Sequence, residues 1–103
     1  MKWGFTDGWT LGDMSAVVDS AVDYTLGEAE KKPFVSCVFS AASKSLTLGL
    51  EVGDVMVVSN IGGTNAVTVK AIEGDTGTSV AAGKVALCIG QAAANASKIY
   101  VLN

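Results

Sequence analysis

The tightest constraint on this fold is residues 65–103, NAVTVKAIEGDTGTSVAAGKVALCIGQAAANASKIYVLN, where short alternating runs are separated by linkers of small residues. Val67, Val69 and Ala71 alternate with Thr68 and Lys70, the two-residue period of a half-buried strand. Val85, Leu87 and Ile89 face one way, and Ala86 and Cys88 the other. That run is apolar on both sides, so its strand is expected inside a sheet or beneath a cover. Residues 67–72, 84–89 and 98–102 are therefore predicted strands.

Upstream, residues 34–40 place Val35, Cys37 and Phe39 on one face, and residues 45–50 turn Leu46, Leu48 and Leu50 inward. Residues 55–59 complete six strands, with turns at 41–44 and 51–54 and the glycines of a hairpin loop at 60–65. Short strands with frequent turns predict a mainly β fold, a small antiparallel β-sandwich or barrel of about six strands. The expected core is Val35, Val38 or Phe39, Leu46, Leu48, Val55, Val57, Val67, Val69, Val85, Leu87, Ile89 and Val101. No internal repeat is visible.

The N-terminal segment is different in kind. Residues 1–12, MKWGFTDGWTLG, form an aromatic arm ahead of a single β-rich domain, residues 13–103. Trp3, Phe5 and Trp9 are separated by glycines and Asp7, so the arm cannot bury its rings against itself. Such rings either cap the domain's own core or anchor the chain to another subunit. Trp3, Phe5, Trp9, Asp7 and Asp13 are the candidate interface residues. Residues 13–24 carry the chain's one helix pattern, with Asp13 as N-cap and Met14, Val17, Val18, Ala21 and Val22 on one face. The valines also allow an extended reading.

Composition excludes several function classes. The chain has 103 residues, a net charge of −3, no His and no Arg. It therefore lacks the commonest general base and metal ligand, and also the planar fork that reads phosphate and guanine. The reading is a non-enzymatic protein with no catalytic residues, no metal and no cofactor. An acidic chain is poorly suited to nucleic acid, whose binding depends on neutralised phosphates. No run approaches the ~20 apolar residues of a membrane helix, and Asp7 and Asp13 interrupt any signal-peptide pattern. The chain is expected to be soluble, made in a cytoplasm, and to bind neither nucleic acid nor membrane. Cys37 and Cys88 have no metal-binding spacing and are read as buried free thiols.

Other patterns have plainer explanations. Asp19 and Asp23, one helical turn apart, would form a solvated acidic face rather than a cation site. Gly62-Gly63 and residues 74–77, GDTG, do not continue into a phosphate loop. Asp75-Thr76-Gly77 matches the triplet of aspartic proteases but fits a turn that requires glycine. The charge is uneven: residues 1–30 sum to −5 and residues 31–103 to +2, which favours contacts between unlike ends of neighbouring molecules.

Residues 45–103, with LEVGDVMVVSNIGGTNAVTVKAIEGDTGTSVAAGKVALCIG and a closing KIYVLN, resemble small β-rich structural proteins of tailed-phage virions. These are capsid decoration (cement) proteins and head-fibre domains. The likeness lies in an acidic chain rich in Ala, Gly, Val and Thr, with GDTGTS and AAGK turns and a final strand. It implies a homo-oligomer, a trimer, seated on the major capsid protein lattice and strengthening the shell, so a virion location after synthesis in a host cytoplasm. The alternative is a head-fibre or receptor- or carbohydrate-binding module using Asn60, Asn65, Asp75 and Asn95. A small enzyme built on Asp54 or Asp75 is a further class.

Overall fold

The computed structural model describes residues 4–5, 9–10, 17–90 and 98–102. Strands β1 (Gly4–Phe5) and β2 (Trp9–Thr10) pair with each other. They are followed by β3 (Val18–Ser20), β4 (Tyr24–Thr25), β5 (Phe34–Phe39), β6 (Lys44–Thr47) and β7 (Val55–Ser59). Then come β8 (Val67–Lys70), β9 (Thr78–Val80), β10 (Val85–Ile89) and β11 (Lys98–Leu102). Among the described residues the only helical piece is a 3-10 turn at Glu28–Glu30.

The mainly β class is present, and each of the six expected strands lies within a residue or three of its expected bounds. The architecture is nonetheless mixed rather than antiparallel, with more than six strands. A five-stranded sheet runs β11-β10-β7-β5-β3 and a four-stranded sheet runs β4-β6-β8-β9. From β3 to β8 the chain changes sheet at every turn. Strands two apart in sequence therefore run the same way and lie side by side. This makes β3–β5, β5–β7, β4–β6 and β6–β8 parallel. Only later does the chain double back, with β8–β9, β7–β10 and β10–β11 antiparallel. The loop at 60–65 is thus a crossing between sheets and not a hairpin. Phe34 pairs with Val57 and Lys44 with Val67, the same step along the chain in both sheets, although no sequence repeat marks it.

Side chains tie the crossing turns together. The Ser40 backbone N–H donates to Ser20 O at 2.9 Å. The Asn65 side-chain amide donates to Phe39 O at 2.8 Å. Asn60, fully buried, donates from Nδ2 to Asn65 O at 2.9 Å and to Val80 O at 3.0 Å. Its Oδ1 has no hydrogen-bond partner and is turned toward Gly63, where an added Cβ would collide with it. Gly63→Ala should cost about 1–3 kcal/mol, read as a lowered urea midpoint. Wild-type stability in that variant would mean the amide swings clear.

The helix expected at 13–24 is not formed over its described part. Val18–Ser20 is strand β3 and Tyr24–Thr25 strand β4, while residues 13–16 lie outside the described residues. Val18 and Ser20 are buried with Asp19 exposed between them, and Val18 pairs with Cys37. The β-branched Val18 suits that half-buried ladder better than a helix, while Val17 and Val22 lie outside the strands and are exposed.

One core cluster draws on both sheets, including Val35, Cys37, Phe39, Met56, Val58, Ala86 and Cys88 from one and Leu46, Val67, Val69 and Val80 from the other. The expectation for β5, β6 and β8 is met. Two strands are reversed. In β7 the inward residues are Met56 and Val58, and in β10 they are Ala86 and Cys88. Val55, Val57, Val85, Leu87 and Ile89 are half-buried on the opposite face, and Val101 is exposed. Both faces of β7 and β10 are apolar, so alternation alone could not choose between them.

Candidate assembly surface

The reversal of β7 and β10 leaves the five-stranded sheet with an apolar outer face, the side turned away from the shared core. The register lines its residues up: Leu87 pairs with Val57 on one side and Tyr100 on the other, Ile89 with Val55, and Val85 with Leu102. Phe34 and Val38 of β5 continue the same face, half-buried like Val57. At the edge strand β11, Tyr100 is 50% exposed and Leu102 48%. Apolar faces of this kind are candidates for contact surfaces. Because Leu87 is only half-buried, Leu87→Ala should cost about 1 kcal/mol of folding free energy. A fully buried leucine would lose 2–5 kcal/mol. A denaturant titration showing the larger loss would place Leu87 in the core.

The edges of the sheets point the same way. Edge strands β3, β4 and β9 have three, two and three residues, short enough to discourage accidental pairing. Strand β11 has five residues and no proline, and it borders the apolar face.

Of the interface candidates, Phe5 and Trp9 sit directly opposite one another in the β1–β2 register. Trp3, Asp7 and Asp13 lie outside the described residues. The β1–β2 pair forms its own two-stranded sheet and joins neither larger one. A two-stranded pair is marginal in water without a surface to lie on.

Six of the chain's ten acidic residues lie at one end of the strands. The turns after β4, β6 and β8 stack there and bring Glu28, Glu30, Glu51, Asp54, Glu73 and Asp75 to the same pole. A shallow cleft at this end is lined by Glu28, Lys31, Gly49, Glu51 and Asp54. Lys31 donates to Glu28 at 2.8 Å, and that bond holds its pKa above the usual lysine value. The Tyr24 hydroxyl donates to the Glu30 carboxylate, which also accepts from the Gly27 N–H at 2.8 Å. The tyrosine bond first, then the backbone one, keeps the Glu30 carboxyl below its ordinary range. These carboxylates hold turns. Asp54 accepts from Glu51 N–H at 3.0 Å and Asp75 from Ile72 N–H at 3.4 Å. Among the described residues no three His, Cys, Asp or Glu are grouped to hold a metal ion.

The remaining look-alikes resolve structurally. Asp19 is an exposed strand residue and Asp23 accepts from Ser45 N–H at 2.9 Å, so they share no helix face. In Asp75-Thr76-Gly77 the glycine has φ +82°, and a Cβ there would lie 2.7 Å from Thr68 Cγ2 and 2.8 Å from Val69 O. The triplet is a hairpin turn between β8 and β9 that only glycine fits. Cys37 and Cys88 are free and fully buried on the inner face. Strand β7 lies between theirs, and the register also offsets Cys37 along its strand from the level of Cys88, so their backbones are more than two strand spacings, ~10 Å, apart and beyond disulfide reach.

Comparison of the chain with protein-family models, curated proteins and solved structures finds no match in any of the three.

Proposed function

We propose that the chain is a non-enzymatic structural subunit of a phage virion, a capsid decoration protein. In this reading it binds the outer shell on the major capsid protein lattice as a homo-oligomer, a trimer, and strengthens the shell through contacts between subunits. One observation supports the reading: an apolar outer sheet face, half-buried along β7 and β10 and exposed at Tyr100 and Leu102 on its five-residue edge strand. A protein built to offer a surface needs such a face, and a small catalyst does not. The resemblance of residues 45–103 to virion structural proteins supplies the kind of partner. The acidic pole suits a more basic platform beneath it.

The alternative, a head-fibre or receptor- or carbohydrate-binding module, would draw on Asn60, Asn65, Asp75 and Asn95 as ligand groups, of which Asn95 lies outside the described residues. Asn60, Asn65 and Asp75 already spend hydrogen bonds on backbone groups of the fold, which weighs toward the decoration reading. The test is co-sedimentation of the purified protein with tailed-phage shells that lack their own decoration protein. Saturable binding and a raised shell-rupture temperature are expected. Failure to sediment with any shell, together with binding to glycans on an array, would overturn the proposal in favour of the alternative.

A further inference from the structure

We infer that Asn60 is a latch: its buried side chain fastens one sheet to the other once both have formed, and so sets how slowly the finished fold opens rather than how fast it forms.

Asn60 is fully buried and follows directly on β7 in the five-stranded sheet. Its amide donates at 2.9 Å to Asn65 O, on the way into β8, and at 3.0 Å to Val80 O, at the end of β9. Strands β8 and β9 are neighbours in the four-stranded sheet. One side chain therefore ties the end of one sheet to two strands of the other. The backbone of the same residue is engaged as well. Its N–H donates to Lys84 O at 2.9 Å, and its carbonyl accepts from the Gly63 N–H at 3.1 Å and the Gly83 N–H at 2.9 Å. Asn60 thus joins its own crossing turn both to β9 and to the turn that leads into β10.

Sequence distance decides when such a latch can close. Val80 lies 20 residues from Asn60, and Gly83 and Lys84 further still. At the opposite pole Asp54 bonds Glu51 and Asp75 bonds Ile72, each within its own turn and three residues away. Those turns can close early and alone. A short amide reaches two distant carbonyls only when the layers stand at their final separation, because hydrogen bonds weaken steeply with misalignment. Interactions made after the folding barrier slow unfolding and leave the folding rate almost unchanged. The amide acts through its two donor bonds alone, since Oδ1 is buried without a partner. That oxygen also supplies a control. A Cβ on Gly63 would collide with Oδ1 and so push the amide off both carbonyls. With the Asn60 side chain removed, the nearest remaining atom is the Asn60 carbonyl oxygen at 3.2 Å, and Gly63 has no positive φ. Alanine at 63 then needs a shift of only a few tenths of an ångström.

The experiment follows unfolding and refolding of the full chain after urea jumps in wild type, Asn60→Ala, Gly63→Ala and the double variant. Each single variant should unfold about ten- to a hundredfold faster than wild type and refold within about threefold of it. The double variant should unfold no faster than Asn60→Ala alone, because both changes release the same amide. Native-state hydrogen exchange of the wild type adds a measurement that needs no substitution. The Gly63 and Gly83 amides, which Asn60 holds, should exchange no faster than the amides of β5 and β7. Slowed refolding that accounts for most of the lost stability would overturn the inference by placing Asn60 in the folding nucleus. Additive effects in the double variant would overturn it by separating Gly63 from the amide. Exchange at Gly63 and Gly83 well ahead of β5 and β7 would show the latch already open in the native state. If Asn60→Ala does not fold, the Gly63→Ala rates and the wild-type exchange decide on the same terms.

Discussion

Replacing Phe39 by alanine is expected to destabilise the fold by about 3–5 kcal/mol, the largest effect of any single core truncation in this chain. Phe39 is fully buried and heads the largest side chains of the core. It also ends β5, where it pairs with Ser20 and its carbonyl accepts from the Asn65 amide. Truncation would open a cavity between the sheets at the level where the crossing turns are stapled, leaving the surrounding strands only partly able to collapse. A domain of this size has a total stability of about 5–15 kcal/mol, so the variant should unfold near or below body temperature. Calorimetry is the check. A loss under ~1 kcal/mol would mean that the staples, and not the ring, hold this end together.

The second large effect is expected at high pH. Burial pushes the Cys37 thiol up to about 11 and the Cys88 thiol up to about 12, from an ordinary value of 9.0. In the unfolded chain both thiols ionise near that ordinary value, whereas in the folded chain they stay protonated. The raised folded-state values stabilise the fold fully below about pH 9. That stabilisation is lost as pH rises, at up to ~1.4 kcal/mol per pH unit per thiol, until each folded-state value is passed. Together the two thiols should remove several kcal/mol between pH 9 and 11. Urea midpoints of wild type and a Cys37→Ala, Cys88→Ala variant should therefore converge as pH rises. Parallel curves would show that the thiols are not buried as described. Near neutral pH both thiols should resist alkylation until the chain unfolds.

Much of the local structure was legible in the sequence. Leu46, Leu48 and Leu50 alternate with polar or small neighbours, so their inward face could be read directly, and all three are buried. β7 and β10 were not legible in the same way. Met56 and Val58 differ too little from Val55 and Val57 to settle which pair faces in. What settles it is packing against the other sheet, a property of the assembled layers. Residues 17–25 failed for a related reason: Val17, Val18, Ala21 and Val22 satisfy a helical period, and only pairing of Val18 with Cys37 and of Tyr24 with Leu46 makes strands of 18–20 and 24–25. The pairing order was the least legible feature. Turns such as 40–43 and 60–65 have the length and composition of hairpin turns, yet they lead into the other sheet. The candidate surface followed the same course. The aromatic arm was visible from Trp3, Phe5 and Trp9, but the pairing of Phe5 with Trp9 was not, and the apolar outer face emerged only when β7 and β10 turned out to be reversed.

The alternation of strands between sheets also governs how the chain reaches its fold. Neither β3 nor β4 can satisfy its backbone when made, because their partners β5 and β6 arrive some twenty residues later, and those wait in turn for β7 and β8. The contacts that reward folding are far apart in sequence, so loop closure must come first, and chains of this kind fold in milliseconds to seconds rather than microseconds. During synthesis β5, with its FVSCVF run, has no neighbour of its own sheet beyond the three residues of β3. A newly made chain therefore carries bare, apolar strand edges until β10 has been made and docks on β7. Its yield in the cell should depend on concentration and temperature during that interval more than on the stability of the finished protein.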